Sequence, residues 1–336
     1  MRHGNATRFE NDVEEGHSDG VRPNQHLLSA AVILWSPLLL KSLPLCCWML
    51  SLMAPMSPAR DPFPLESVDA RSAGALGFMP RLLVLTTLPH RQPESHRFER
   101  VNGRQSLQMR APRRDGLPYG SYSRLLLAYL TTEAVRTKSA EIHLGASPND
   151  LARQLSLSTI SGPRGTAKRL EDQLGRFLST RLDWKTSLGL HPATSGSGFV
   201  GARRPGLLNL AREIFPGRPE WHPKIILGKH FFHEITGSAV PVDLRALHRL
   251  RISPLALDLY IWLTYRMSYL RKPTLIPWES LQAQFGAKYC RPRDFRRSAR
   301  TQLGNVLRVY PGARIAQNEV GLRLYPSAPH VRSRSL

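Results

Sequence analysis

The stretch RPRDFRRSARTQLGNVLRVYPGARIAQNEVGLRLYPS, residues 291–327, joins a helical pattern to a hairpin pattern. In its first part, one apolar stripe runs at helical spacing through Phe295, Ala299, Leu303 and Val306 or Leu307. Its second part alternates around the polar pair Asn318-Glu319, which is typical of two strands joined by a turn. We therefore predict an amphipathic helix that leads through VLRVYP (306–311) into a β-hairpin.

The helical part also contains six arginines and no lysine. Arg293, Arg297 and Arg300 follow a second stripe, roughly 140–200° from the apolar one around the helix. Arg296 lies between the two stripes. A guanidinium group presents a planar fork that matches phosphate and the edge of guanine. Because Asp294 is the one acidic residue nearby, pairs within the helix do not explain the arginines, and we predict DNA contact rather than a solvated flank.

The charge of the whole chain supports this interpretation. Lys and Arg number 47 against 25 Asp and Glu, a net charge of +22. Residues 1–78 carry 6 basic and 8 acidic side chains, which leaves 41 basic and 17 acidic ones, a net of +24, in residues 79–336. A body this basic repels itself unless a polyanion is its usual partner. Nucleic acid is the leading candidate, ahead of an anionic membrane surface or a merely basic soluble protein.

Signatures of enzymes and metal sites are missing from the sequence. Its three cysteines, Cys46, Cys47 and Cys290, form no CxxC pair and no Cys/His ligand spacing, which favours a reducing cytoplasm over a disulfide scaffold or a zinc site. HFFHE (230–234) is not the HExxH of zinc proteases, and GPRGTAK (162–168) lacks the spacing of a phosphate-binding loop. We expect no catalysis, no metal and no cofactor.

Residues 1–78 differ from the remainder of the chain. Two apolar runs, 27–40 and 42–56, flank Lys41, and neither run alone reaches the roughly 20 residues of a membrane-spanning helix. Acidic residues precede the first run, which argues against a secretory signal. Three interpretations remain open: a membrane tether, a disordered partner-binding extension, and an upstream extension outside the folded protein. The last is favoured because the composition changes near Met79.

Two segments of the basic body repeat one order of predicted elements. Each has an apolar helix, a short strand, a short helix and a longer basic helix, beginning at SYSRLLLAYL (121–130) and SPLALDLYIW (253–262). DLARQL (150–155) lies 130 residues before SLQAQF (280–285), and the QLG at 173 lies 129 residues before the QLG at 302. The second segment ends in the predicted hairpin. In the first, the Gly/Ser-rich residues 187–206 are expected to form a long loop between strands.

This layout is that of a winged helix, in which the third helix enters the major groove of DNA and the hairpin lies on the backbone. We therefore predict an α+β fold with two tandem winged-helix domains, residues 79–236 and 237–331, and an extension at 1–78. The predicted DNA-contacting residues on the third helices and the second hairpin are Arg164, Lys168, Arg169, Arg176, Arg293, Arg296, Arg297, Arg300 and Arg314. The helix at 164–184 also holds acidic residues, so an ordinary amphipathic helix is its alternative interpretation.

Two further segments have local interpretations. WHPKIILGKHFFHEI (221–235) has the pattern of a buried β segment, and GSAVPVDLRALHRL (237–250) that of a turn and a connecting helix, with the inter-domain link inside 236–252. Ser147 and Ser253 each precede a proline and are predicted to cap helices. Tyr260 and Trp262 could stack on bases, but their spacing favours packing in a core.

Several motifs together resemble the plasmid RepA replication-initiator family. They are DLYIWLTYR (258–266), WESLQAQFG (278–286), VLRVYPGA (306–313), GLRLYPSAPHV (321–331), PRLLVLTTLPH (80–90) and LPYGSYSRLLLAYL (117–130). The resemblance covers roughly residues 79–331 and leaves out residues 1–78. It implies a cytoplasmic protein that binds repeated sites in double-stranded plasmid origin DNA and recruits host replication proteins. It also allows a homodimer. A membrane partner is not expected, because the charge of the chain favours nucleic acid over an anionic membrane surface.

Two other functions are compatible with the same residues. A winged-helix transcriptional repressor would use the same DNA contacts without starting replication. A strand-nicking initiator would need a catalytic tyrosine beside a metal, and the sequence has no His-x-His pair to hold one.

Overall fold

A computed structural model describes residues 68–160, 162–186, 208–209, 221, 223–286 and 289–332 of the chain. Helices and strands are interspersed through these ranges, and the pairs that build the four sheets are antiparallel. The α+β class predicted from the sequence is confirmed. Of the extension predicted at 1–78, residues 1–67 lie outside the described residues, as does the loop predicted at 187–206. Residues 68–78 are described and pack on the folded body, where Ala70 and Ala75 are buried, so the fold begins before the predicted boundary at residue 79.

The elements divide into an earlier and a later group. In chain order the first are β1 (Leu76–Pro80), α1 (Arg81–Leu85), β2 (Arg97–Asn102), β3 (Gln105–Arg110), α2 (Gly120–Thr137), β4 (Glu141–His143), α3 (Pro148–Gln154), α4 (Thr166–Ser179), β5 (Arg181–Thr186), β6 (Leu208–Asn209) and β7 (Lys224–Leu227). They are followed by α5 (Lys229–Ser238), β8 (Ala239–Asp243), α6 (Leu244–Leu250), α7 (Pro254–Tyr269), β9 (Thr274–Pro277), α8 (Trp278–Phe285), α9 (Pro292–Val309), β10 (Ile315–Gln317) and β11 (Gly321–Leu324).

The stretch at 291–327 folds into the predicted helix and hairpin. The buried side chains of α9 are Phe295, Ala299, Leu303, Val306 and Val309, which confirms the apolar stripe. Because the last two continue that stripe, the helix extends to residue 309, and VLRVYP is mostly helical rather than an entry into the hairpin. β11 then pairs with β10 on one side and with β9 on the other.

The helices around α9 form a closely packed core. The hydroxyl of Ser253 accepts a hydrogen bond from the backbone N–H of Ala256 at 3.2 Å, so the predicted cap of α7 is present. α7 is buried on nearly all sides, with Tyr260 fully enclosed and the Trp262 ring packed edge-on against Phe285. The prediction that these aromatic residues belong to a core is therefore confirmed.

The first half contains a sheet with an equivalent strand order. β4 pairs with β7 and β7 with β6, as β9 pairs with β11 and β11 with β10. Ser147 caps the start of α3, and its hydroxyl accepts a hydrogen bond from the Asp150 N–H at 3.2 Å, so the predicted cap is present. α4 buries Leu170, Leu174 and Phe177 along one face. β5, which follows α4 directly, leaves this arrangement and pairs with β3.

Two segments differ from their predicted structure. Of residues 221–235, the β prediction holds for β7 alone, and the segment from Lys229 is the helix α5. Phe231 and Ile235, four residues apart, are both buried there, which is the spacing of a helix face. The turn predicted at the start of 237–250 is instead the strand β8, because it pairs along its whole length with β1.

A hairpin at 97–110 was not predicted. β2 and β3 pair from Arg97↔Arg110 to Asn102↔Gln105, and β5 adds a third strand to them. Gly103, in the turn, has a φ of +57°, a conformation that glycine adopts readily. The Asn102-Gly103 dipeptide is a strong local signal for such a turn, so the hairpin could have been found from the sequence.

A buried ion pair connects the two halves of the described chain. Arg124 on α2 donates from Nε and Nη2 to the two carboxylate oxygens of Asp258 on α7, both at 2.6 Å. Arg124 Nη2 also donates to the carbonyl of Leu88, and His90 Nε2 lies 2.8 Å from Asp258 Oδ2. Burial alone would raise the pKa of Asp258, but Arg124 and His90 together outweigh that effect and hold the pKa below its ordinary value.

Candidate nucleic-acid interface

Two of the predicted arginines on α9 point into solvent. Arg293 is exposed and has no ion-pair partner within the described residues. Arg297 is 82% exposed and makes one contact with an acid, to Asp294 at 3.4 Å on the same helix. A pair this exposed contributes little to stability. Both guanidinium groups are therefore available to an external anion.

The other two arginines of α9 lean towards the hairpin. Arg300 Nη2 lies 3.3 Å from Oε1 of Glu319 and donates to the carbonyl of Asn318 at 3.2 Å. Arg296 Nη1 lies 3.6 Å from Oε2 of Glu319. Their acidic partner is therefore not in the helix itself but in the turn between β10 and β11, nineteen or more residues away in the chain.

The hairpin turn is fixed against the helices by several contacts. Trp278 Nε1, at the start of α8, donates to the carbonyl of Asn318 at 2.9 Å, and the Arg300 guanidinium lies 5.5 Å from the centre of the Trp278 ring. The side-chain oxygen of Asn318 accepts from the N–H groups of Val320 and Gly321 at 3.0 and 2.8 Å. The helix and the turn thus form one continuous surface with little freedom between them.

The strands of the hairpin add exposed cations to this surface. Arg314, which precedes β10, is exposed and lies 6.0 Å from the centre of the Tyr325 ring. Arg323, which was not predicted, is exposed on β11, opposite Ala316 on one side and Leu275 on the other. The alternation of GLRL, with buried leucines around the arginine, is the signal that could have identified it.

The corresponding helix of the first half presents its cations differently. Lys168 Nζ lies 3.1 Å from Glu171 and 3.3 Å from Asp172, one turn further along α4. The hydrogen bonds that Lys168 donates, first to Glu171 and then to Asp172, raise its pKa. Arg164, just before the helix, is exposed, and Arg169 is exposed with its guanidinium 5.7 Å from the centre of the Tyr122 ring.

Arg176 lies apart from the other predicted residues of α4. Its Nη1 donates to the carbonyl of Leu117 at 3.3 Å, and its guanidinium lies 5.2 Å from the centre of the Tyr119 ring. Gly116 makes room for it, since a Cβ there would collide with the guanidinium. The structure therefore brings Arg164, Lys168 and Arg169 to the exposed face of the helix, and Arg176 to a contact with the turn before α2.

The described ranges offer neither a cluster of metal ligands nor a helix that could span a membrane. They contain no group of His, Cys, Asp and Glu side chains that could hold a metal ion. None of the helices described there is both long and apolar enough to cross a membrane.

Comparison with known proteins gives a match to one family profile and to two solved structures of one protein. The sequence profile of RepA_C, described as plasmid encoded RepA protein, matches residues 117–279, which confirms the resemblance to plasmid RepA proteins. A crystal structure of domains 2 and 3 of RctB aligns with 75% of this chain and 99% of its own, at 14% identity and a TM-score of 0.50. A second structure of the same RctB domains covers 73% and 94%, at 16% identity and a TM-score of 0.44. Among curated proteins, none matches the sequence.

Proposed function

We propose that this chain, with the RepA_C match at its centre, is a plasmid replication initiator that binds repeated sites in double-stranded origin DNA. The observation that carries the proposal is the surface formed by α9 and the β10–β11 hairpin, which we call the α9 surface. Exposed arginines from both elements share that surface, and the surrounding body has a net charge of +24. The family match ends at residue 279, before α9 begins, so the two lines of support are separate.

The proposed DNA-binding units are two winged-helix domains, residues 79–236 and 237–331. Support comes from the order α7, β9, α8, α9, β10 and β11, with a sheet that places β11 in the middle. The same strand order in the first half supports an internal repeat. In this arrangement α9 and α4 are the helices that enter the major groove, and the hairpin lies along the backbone.

The α9 surface suits both phosphate and base contact. Arg293 and Arg297 are free to reach DNA, whereas Arg300 and Arg296 hold the hairpin turn through Glu319. Each phosphate that the protein neutralises adds about −0.9 to the slope of log affinity against log salt. We therefore expect DNA binding by the intact protein to weaken steeply with salt, with a slope that corresponds to several phosphate contacts.

The remaining parts of the proposal follow the family resemblance. The protein would act in the cytoplasm, without catalysis, metal or cofactor, and would recruit host replication proteins to the bound origin. A homodimer is compatible with repeated or palindromic sites, because the symmetry of a site mirrors that of the protein bound to it.

Footprinting on the DNA that flanks its own gene tests the proposal most directly. A ladder of evenly spaced protections is the expected result, and the same DNA should let a plasmid that carries the gene persist in transformed cells. Protection without persistence would instead identify a transcriptional repressor. A cleaved or covalently tethered origin strand would show a nicking enzyme, and an absence of protection would refute the DNA-binding function.

A further inference from the structure

The sheet β2-β3-β5 aligns three arginines across its strands. Arg97 on β2 lies directly opposite Arg110 on β3, and Arg110 lies directly opposite Arg181 on β5. Neighbouring strands are about 4.8 Å apart, so the three residues span about 10 Å on one face of the sheet. Arg97 and Arg110 are exposed, and Arg181 is about one-quarter exposed. We call these three residues the arginine row.

The arginine row is only partly neutralised by the protein. Arg181 donates from Nε and Nη2 to Asp183 Oδ1, both at 3.1 Å. Glu99, the other carboxylate on the same face, accepts a hydrogen bond from Gln108 at 3.1 Å. Neither Arg97 nor Arg110 has an acidic partner within 4 Å among the described residues. Like charges directly opposite each other destabilise a sheet, so this arrangement favours an external anion.

The opposite face of the sheet explains why the row points outwards. Leu107 and Met109 are fully buried, and they alternate along β3 with the residues of the exposed face. Arg100 on β2 is also on the buried face, where its Nη1 donates to the carbonyl of Ala283 at 3.4 Å. Burial of that face fixes the register, and with it the alignment of the row.

The sheet also adjoins elements connected to both of the proposed DNA-reading helices. β5 begins two residues after the end of α4, with Thr180 between them. At the other edge of the sheet, β2 packs against α8, the helix that precedes α9. One edge of the arginine row is thus attached to the third helix of the first half, and the other adjoins the second half.

We propose that Arg97, Arg110 and Arg181 contact the phosphodiester backbone of DNA between the segments held by α4 and α9. The proposal rests on the proposed function, because it requires both helices to bind one duplex. Over about 10 Å, one DNA strand presents about three phosphates, which matches the number of guanidinium groups in the row. The contact carries no base specificity, so it adds affinity for any sequence.

The test compares binding to a random 30-base-pair duplex by fluorescence anisotropy across a salt series. In the double variant Arg97→Ala/Arg110→Ala, the loss of two phosphate contacts lowers the steepness of the salt dependence by about 1.8. Doubling the salt concentration then weakens binding about 3.5-fold less than in the unmodified protein, as that slope implies. The matched variant Arg136→Ala/Lys229→Ala removes two exposed cations from α2 and α5 and is expected to leave the slope unchanged.

A charge-retaining variant separates phosphate contact from a structural role. Arg97→Lys/Arg110→Lys keeps both positive charges and should retain most of the slope, whereas an equal loss in the lysine and alanine variants would overturn the proposal. An unchanged slope in Arg97→Ala/Arg110→Ala would also overturn it, and would leave the row to another anion. If the unmodified protein showed no salt-dependent binding, the proposed function itself would fail, and this contact with it.

Discussion

The third helices of the two halves, α9 and α4, follow the same elements but present different charged surfaces. On α9, Arg293 and Arg297 extend into solvent, and two further arginines brace the adjoining hairpin. On α4, Lys168 is paired with two carboxylates of its own helix, and Arg176 contacts the turn before α2. Two helices that follow the same order of elements therefore need not contribute equally to binding. We expect α9 to contribute more than α4 to the proposed affinity for DNA.

The difference arises from where the counter-charges lie. The partner of Arg296 and Arg300 is Glu319, which belongs to another element and is 84% exposed, so an external anion can displace it at small cost. The partners of Lys168 are one helical turn away on the same helix, so they would remain beside it in the proposed complex with DNA. On α4, Lys168 is thus paired with two acids of its own helix, whereas the one such pair of the predicted α9 arginines among the described residues is that of Arg297 with Asp294, at 3.4 Å.

The largest effect is expected at the buried ion pair between Arg124 and Asp258, which connects the half that contains α4 to the half that contains α9. Asp258→Ala leaves Arg124 buried without its counter-ion, and loss of one partner of a buried pair costs about 3–5 kcal/mol. We expect the free energy of unfolding, measured by chemical denaturation, to fall by that amount. Stability equal to that of the unmodified protein would show that this pair does not hold the halves together.

A double replacement provides the control for that experiment. Arg124→Met with Asp258→Leu removes both charges and leaves neither one unpaired. The loss of stability should therefore be much smaller than in Asp258→Ala, since apolar replacements of a buried pair are often tolerated. A loss as large as that of the single variant would assign the effect to packing rather than to the unpaired charge.

The comparison between the helices is tested directly by matched pairs of alanine substitutions. Arg293→Ala/Arg297→Ala on α9 should reduce the salt slope of DNA binding by about 2, since each phosphate contact contributes about 1. Lys168→Ala/Arg169→Ala on α4 should reduce it by about 1, because Lys168 is already neutralised. Salt titrations on the same duplex measure both, and an equal or larger effect on α4 would reverse the assignment.

The stability contributed by the buried contacts of Arg124, Asp258 and His90 should depend on pH, whereas the charge of the exposed arginines does not change near neutral pH. Burial lowers the pKa of His90 below its usual 6.5, although the hydrogen bond with Asp258 acts in the opposite direction. As the pH falls below about 6.5, the unfolded chain binds a proton that the folded chain refuses, so stability falls, by at most about 1.4 kcal/mol per pH unit for one histidine. Chemical denaturation curves recorded from about pH 7.5 down to about pH 5, a range that brackets the ordinary histidine pKa, measure this decrease in stability.

The variant His90→Gln identifies the residue responsible. It keeps a hydrogen-bond donor near Asp258 but does not titrate, so its stability should depend less steeply on pH. The remaining dependence is assigned to His330, whose pKa burial also lowers. Identical pH dependence in the variant and the unmodified protein would exclude His90 as the titrating group.

The smallest effect is expected when α4 is made more like α9. Glu171→Gln/Asp172→Asn releases Lys168 from its two carboxylates, and exposed pairs of this kind are worth about 0.2–1 kcal/mol. DNA binding should tighten by an amount within that range. Glu133→Gln/Glu141→Gln removes the same charge elsewhere, and an equal gain in that control would attribute the effect to net charge alone.

The parts of the molecule that the sequence predicted correctly depend on local patterns. The stripe through Phe295 and Leu303, the cap at Ser253 and the turn at Asn318 each involve residues within a few positions of one another. Pairing of β1 with β8 joins Leu76 to Asp243, and no local pattern identifies a partner so distant. The same applies to the candidate site, where the orientation of Arg176 depends on a turn about sixty residues earlier in the chain.

The pairing of β1 with β8 has a consequence for how the chain is made. Ribosomes add about 5–20 residues per second, so β1 emerges roughly ten to thirty seconds before the strand it pairs with. During that interval the N-terminal strand exposes unpaired backbone groups that can join another nascent chain. Completion of this sheet therefore follows translation of the whole first half, and chaperones that shield early strands should raise the yield of folded protein.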